Sequence, residues 1–157
     1  MKSILAALAI GALLAVSSIA GASDTPDAVV GTWNLDVAKS KGNAPMPKSE
    51  TRTYTDAPGG VTVTWTRVGA DGKESTVSTT FKYDGKDYPV TGSPDFDMIS
   101  AKRTDAHTIE SIQKRGGKDI GMTQRRISAD GKTLTLATKM TTADGKAIDT
   151  TMVYDRK

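Results

Sequence analysis

The chain has 157 residues, no cysteine, and 21 Lys and Arg against 18 Asp and Glu, a net charge of +3. That length suits one domain with one core. The missing cysteines exclude a disulfide scaffold and a Cys-ligated zinc, and basic residues spread thinly along the chain exclude the clustered footprint of a nucleic-acid binder.

Lys2 precedes an apolar run from Ile4 to Val16, and Ala20-Gly21-Ala22 supplies the small residues of a signal-peptidase site. The pattern predicts a signal peptide over residues 1–22, cleaved after Ala22, and a periplasmic or secreted product. The run falls short of the roughly 20 residues that a spanning helix needs, and no basic stop-transfer cluster follows it. Residues 23–157 then form a single domain, a monomer without a membrane span, carrying 20 basic residues (21 less Lys2) against 18 acidic ones.

The first strand is Val30 to Ala38, in which Trp33, Leu35 and Val37 alternate with polar positions. Lys39 to Ser49 contains Gly42, Asn43, Pro45 and Pro47, which break both helix and strand, and is the longest expected loop. Strands follow at Glu50 to Asp56 and, beyond a Pro58-Gly59-Gly60 turn, at Val61 to Val68, where Val61, Val63 and Trp65 alternate with threonines. Ser75 to Tyr83 places Val77, Thr79, Phe81 and Tyr83 on one side, a short strand covers Asp87 to Gly92, and Ser93 to Asp97 is a second loop. The remaining strands are Met98 to Arg103, His107 to Lys114, Lys118 to Ser128 after a Gly116-Gly117 turn, Thr133 to Thr141, and Lys146 to Asp155.

Asp-Gly-Lys recurs at Asp71, Asp84, Asp130 and Asp144, each copy between alternating runs. It reads as a tight hairpin turn in which both central residues take positive φ. About ten strands joined almost entirely by hairpins make an all-β, antiparallel up-and-down meander. Closure into a barrel of about 8–10 strands removes its two exposed edges, with a sandwich or open curved sheet as the alternative. An outer-membrane barrel is rejected: aromatics are 5% of the chain, outward faces carry Thr, Lys and Asp, and the chain ends Asp155-Arg156-Lys157.

Gly31-Thr32-Trp33 on the first strand of such a meander resembles the opening of the lipocalin and fatty-acid-binding protein superfamily. Together with Ala38-Lys39-Ser40-Lys41 and the run from Tyr83 to Gly92, it is similar to small exported bacterial proteins described as lipocalin-like. The resemblance implies that Trp33 closes one end of a ligand-holding barrel. Fatty-acid-binding proteins also use an Arg-x-Tyr pair on the last strand to hold a carboxylate. Here that place reads Met152-Val153-Tyr154, with Tyr kept and Arg absent, and Lys39 to Ser49 cannot form the two helices that lid the family's cavity.

Alternation nominates the interior. If Leu134 and Ile148 point inward, so do Met140, Met152 and Tyr154; facing strands add Ile120, Met122, Gln124 and Arg126, and Ile99 and Ala101 bring Arg103 to the same side. With Trp65 and Tyr83, the candidate ligand-binding set is Trp65, Tyr83, Arg103, Met122, Arg126, Met140, Met152 and Tyr154. Flexible Met and amphipathic Tyr suit an adaptable pocket, and interior Arg suits an anionic head group. In the alternative, Met fills core gaps and Arg reaches out at the rim, and a slip of one residue puts every Arg outside.

No cofactor, metal or catalytic residue is expected. His107 is the sole histidine and has no Gly-x-Ser-x-Gly elbow to serve, while Asp95-x-Asp97 lacks the other ligands of a calcium loop. The expected function is non-enzymatic binding or carriage of a small hydrophobic or anionic amphipathic molecule. The alternative is a filled barrel acting through surface loops, either Lys39 to Ser49 or Tyr88 to Pro94.

Overall fold

The structure, a computed structural model, describes residues 26–157, so the expected leader and its cleavage site lie outside the described residues. Ten strands follow in order: β1 (Gly31–Gly42), β2 (Ser49–Ala57), β3 (Gly60–Val68), β4 (Glu74–Lys82) and β5 (Asp84–Thr91), then β6 (Met98–Arg103), β7 (Thr108–Arg115), β8 (Lys118–Ile127), β9 (Thr133–Thr141) and β10 (Ala147–Arg156). Each pairs antiparallel with its chain neighbour, and β1 also pairs with β10, closing the meander into a barrel. Every described strand has a neighbour on both sides, so no full-length edge is left for chance strand addition, and the pairing is sparse only between β4 and β5.

The turns are built differently from the two-residue form expected. At three Asp-Gly-Lys sites the Gly N–H donates back three residues, Gly72 to the Gly69 carbonyl at 2.9 Å, Gly131 to Ser128 at 2.9 Å and Gly145 to Thr142 at 3.0 Å. Ala and Asp thus occupy the middle of a type I turn and Gly follows with φ of 83°, 70° and 83°. The fourth copy is no simple hairpin tip: Asp84 to Lys86 forms an irregular start of β5, where the register against β6 shifts before Asp87. Asp84 Oδ1 accepts the Lys86 N–H at 3.0 Å, as Asp71 accepts Lys73 and Asp130 accepts Lys132. β4 and β5 share only the pairs Ser78–Thr91 and Thr79–Val90, diverging toward this turn, and Pro89 supplies no N–H to the gap.

The expected loop from Lys39 to Ser49 is also shorter. β1 continues to Gly42 through a bulge between Asp36 and Lys41, where the Ser40 hydroxyl donates to the Asp36 carbonyl at 2.7 Å and accepts the Val153 N–H at 2.9 Å. A serine side chain replaces the interrupted ladder bond, which composition alone does not show.

The core fills one end. Trp33 and Leu134 are fully buried there with Val29, Val61 and Ile127. Trp33 Nε1 donates to the Val29 carbonyl at 2.7 Å, and the Arg156 guanidinium stacks 4.1 Å above the indole while bonding the Val30, Ala28 and Gly131 carbonyls. Gly31 has φ 135°, and a Cβ there would stand 2.6 Å from Arg156 Nη1, so glycine at this position makes room for that plug. Trp33 is structural, as the resemblance implies.

Candidate functional site

Above the plug the barrel encloses a cavity of about 380 Å³, within the usual range for small-molecule pockets. Its mouth lies at the end where β1 leads into β2 and β5 into β6, between Ala44–Pro47 and Ser93–Phe96. Asp95 and Asp97, the carboxylates weighed as a cation pair, tie this rim instead: Asp95 Oδ1 accepts the Ala143 N–H at 3.0 Å and Asp97 Oδ2 the Gly116 N–H at 3.1 Å.

The β3–β4 side of the cavity is the more apolar, although Arg67, Ser75 and Thr79 also line it. Along β3 and β4, Val61, Val63, Val77 and Phe81 are buried inward, while the outer face carries cross-strand hydroxyl pairs at Thr62–Thr80 (2.7 Å), Thr64–Ser78 (3.0 Å) and Thr66–Thr76 (3.1 Å). The other side is the more polar, although Ile109, Leu136 and Met140 also line it. Ser111 and Gln113 of β7, Thr123 and Arg125 of β8 and Thr138 of β9 all line the space, and Gln113 Nε2, Thr123 Oγ1 and Thr138 Oγ1 form a chain of bonds at 2.9 and 2.8 Å.

Two buried carboxylates organise the arginines. Glu50 has no exposed side-chain surface and takes bonds from Arg52 Nε at 2.6 Å, Arg67 Nε and the Tyr154 hydroxyl at 2.7 Å. Burial pushes its carboxyl up, but the two guanidinium charges and the Tyr154 bond outweigh this and hold it below the ordinary range. Arg52 lies 4.6 Å over the Trp65 ring. At the plugged end Asp27 accepts the Tyr83 hydroxyl at 2.6 Å, Arg103 Nη2 at 2.7 Å and, more distantly, Arg125 Nη2 at 3.5 Å. Asp27 is likewise lowered, burial opposing the Tyr83 bond and the Arg125 charge. Burial pushes both tyrosine hydroxyls up, so they stay protonated and donate.

Four guanidiniums therefore share two carboxylates, leaving positive charge in and around the cavity. Arg125 concentrates it: the residue is 5% exposed, Nη2 meets the Tyr83 oxygen at 2.9 Å, and Nε and Nη1 have no partner. Gln113, 4% exposed, leaves Oε1 unpaired. Buried polar atoms of this kind are uncommon in finished cores.

Of the residues nominated from alternation, Trp65, Met140 and Met152 line the cavity. Tyr154 and Tyr83 do not line it; their hydroxyls donate to Glu50 and Asp27. Arg103 is directed to Asp27 and packs 4.7 Å over the Tyr83 ring, outside the cavity lining. Met122 and Arg126 are corrections: both stand exposed on the outer face, because β8 buries Arg125 and Ile127 and therefore turns Met122, Gln124 and Arg126 away. Glu50, Arg52, Arg67, Gln113 and Arg125 were missed. Two of them, Glu50 and Arg52, had one sequence signal: with Tyr54 they alternate with an all-threonine row in β2, like the outward threonines of β3.

The chain has the fold of the lipocalin and fatty-acid-binding protein type, an all-antiparallel ten-strand barrel that is here without helices among the described residues. Zebrafish ileal bile acid-binding protein complexed with cholic acid is similar in structure, with a TM-score of 0.50 at 13% identity over 83% of this chain and 99% of that one. The M. tuberculosis protein Rv2717c is similar at a TM-score of 0.50 and 15% identity, covering 83% of this chain and 93% of that one. No family model matches the chain, and no curated protein matches it in sequence.

Proposed function

We propose that this protein is a non-enzymatic carrier, exported to the periplasm or beyond, that holds a small hydrophobic or anionic amphipathic molecule inside its barrel. The observation that carries this reading is the cavity of about 380 Å³ inside the barrel, open at one mouth and lined by Val63, Val77, Phe81, Met140 and Met152 together with Arg52, Arg67 and Arg125. An apolar body gains from leaving water against Val63, Val77, Phe81, Met140 and Met152, and an acidic group gains charge-assisted bonds from the arginines that share the lining, Arg52, Arg67 and Arg125. The shared fold with a protein solved around cholic acid supports the same use of the interior. His107 stands exposed in the turn between β6 and β7 at the plugged end, where its backbone N–H donates to Asp105 Oδ1 at 2.8 Å, remote from the mouth.

Native mass spectrometry of protein purified from its own host, with N-terminal sequencing, tests both halves. A mature chain starting at Ser23 and a mass exceeding the polypeptide by one small molecule are expected. A bare polypeptide mass, with no amphipathic acid able to displace anilinonaphthalene sulfonate from the barrel, overturns carriage and leaves the surface-loop reading.

A further inference from the structure

Resting on that carrier reading, we infer that the occupant is a monoanionic acid held head outward, its acid group on the free guanidinium ends of Arg52 and Arg67 beside the mouth and its apolar body pointing to the plug. Both arginines line the cavity, and Glu50 engages only part of each. Arg52 gives its Nε to Glu50 and to the Tyr154 hydroxyl. Arg67 gives its Nε to Glu50 and its Nη2 to Met152 Sδ, a weak acceptor, at 3.8 Å. Arg52 Nη1 and Nη2 and Arg67 Nη1 have no partner among the described residues, yet none of the three is sealed from solvent. The Arg52 side chain stays 12% exposed although it sits on the inward face of β2, and that of Arg67 stays 37% exposed. These are donors that an incoming acid can reach.

Their positions set the direction of binding. Arg67 is the penultimate residue of β3, where that strand arrives at the mouth, and it stands opposite Glu50. Arg52 stands opposite Trp65, one inward position deeper. Beyond them toward the plug the lining is Tyr54, Val63, Phe81, Ile109 and Leu136, all members of the apolar core. Arg125 lies at that depth, opposite Ile109 and Leu136, but its Nη2 is on the Tyr83 hydroxyl and its other two nitrogens are sealed. Of the three arginines, Arg52 and Arg67 therefore present the open donors, and an apolar chain fits the deeper half better than an acid does.

The site is also built in advance. The Arg52 guanidinium lies 4.6 Å from the centre of the Trp65 ring and 5.4 Å from that of Tyr154, so two rings and Glu50 fix its plane before a ligand arrives. A fork held in this way loses little freedom on binding. Two guanidiniums against one carboxylate leave a single positive charge. One carboxylate neutralises it and a dianion overshoots. A neutral alcohol accepts a bond from the fork but brings no charge to it.

Dodecanoate and dodecanol, each displacing anilinonaphthalene sulfonate from the mature protein, test the acid site. The wild type should hold the acid at least about tenfold tighter, the worth of a charge-assisted bond, and Arg67→Gln should remove most of that margin while dodecanol binding holds. Glu50 keeps its bonds from Arg52 and Tyr154 in this variant. Equal wild-type affinities, or a margin untouched by Arg67→Gln, overturn the acid site and leave the carrier reading standing. Direction is read from the contact quenching of Trp65 by bromine. Dodecanoate brominated beside its carboxyl should quench, dodecanoate brominated at its far end should not, and Trp65→Phe should abolish the difference, since Trp33 is buried outside the cavity lining. No quenching by the near bromine, equal or stronger quenching by the far one, or a difference that survives in Trp65→Phe overturns head-outward binding. If no amphipathic acid displaces the dye, the carrier reading fails and this inference fails with it.

Discussion

The wall formed by β3 and β4 and the wall formed by β7 and β8 lie on opposite sides of one cavity and differ in the balance of what they turn inward: Arg67, Ser75 and Thr79 join an apolar majority on the first, and Ile109 joins a polar majority on the second. The first buries Val61, Val63, Val77 and Phe81 and turns paired hydroxyls to solvent. The second turns Ser111, Gln113, Thr123 and Arg125 inward and pairs Ile112 with Met122 on the outside, leaving Met122 44% exposed. The first arrangement removes apolar surface from water and stabilises the barrel. The second costs stability, since buried polar atoms stay incompletely bonded, and such a cost is expected where a protein binds something. The two walls thus differ in what they bury, one mostly apolar side chains and the other a larger share of polar ones.

The largest effect should come from damaging the more apolar wall. Phe81→Ala removes a 5% exposed ring that packs edge-on against Tyr83 with centroids 5.9 Å apart. Urea denaturation should show a loss of about 3–5 kcal/mol, the range for truncating a buried aromatic. A loss under about 1 kcal/mol would show that the β3–β4 side is not the structural half.

Next in size is Glu50→Gln, which leaves Arg52 and Arg67 around a neutral amide. A cost of about 3 kcal/mol at neutral pH is expected for removing one partner of a buried ion cluster. The pH dependence has a defined sign. Glu50 is lowered in the folded state, so its stabilisation is complete above the unfolded carboxyl value of about 4.3 and is lost as pH falls through the lower folded value. The gap between wild type and Glu50→Gln should stay constant from pH 7 to about pH 5 and close below about pH 4. Asp27 shifts in the same direction, so the variant keeps a residual acid slope. Denaturation midpoints measured across that range check both points, and a gap independent of pH would remove Glu50 from the account.

Arg125→Met sharpens the contrast because the two walls should respond differently to losing a buried side chain. Asp27 retains Tyr83 and Arg103, so no buried charge is stranded. Stability should change by less than about 1 kcal/mol or rise, since replacing incompletely paired buried charge with an apolar chain is often neutral or favourable. Affinity for an amphipathic acid should fall by less than about tenfold, the worth of a charge-assisted bond, since Arg125 presents fewer open donors than Arg52 and Arg67. Calorimetry with and without ligand separates the two quantities. A large stability loss without change in affinity would assign Arg125 to the scaffold.

How far the sequence could be read follows the same division. Alternation in β3 and β4 is clean because valines and aromatics repeat at every second place against threonine, and strand number, hairpin connectivity and closure followed from such runs. In β8 the pattern misleads. Ile120 and Met122 argue for one face, Ile127 for the other, and packing at the plugged end decides for Ile127, carrying Arg125 and Thr123 inward with it. Glu50 and Asp27 were illegible for a related reason: an acid reads as exposed until the guanidiniums that neutralise it are known, and those are set by register, Arg67 standing opposite Glu50 on β3, and by closure, which brings Arg125 of β8 to Asp27. The Ser40 bulge escaped because its glycine and proline neighbours hide a strand that a side-chain hydroxyl completes.

The smallest expected effect bears most directly on the register of the more polar wall. Met122→Lys places a charge where the structure has an exposed thioether facing Ile112 across the strands, with Lys139 opposite on β9. Outside the barrel this should move stability by no more than about 0.5 kcal/mol, since exposed substitutions rarely do more, with a slight loss from the new charge beside Lys139. Ligand affinity should not change. Had the apolar residues of β8 pointed inward, the same lysine would enter the cavity, cost several kcal/mol for an unpaired buried ammonium and alter the affinity for any acid. A thermal melt and one titration distinguish these outcomes. An inward Met122 would put Thr123 and Arg125 in solvent and collapse the contrast between the two walls.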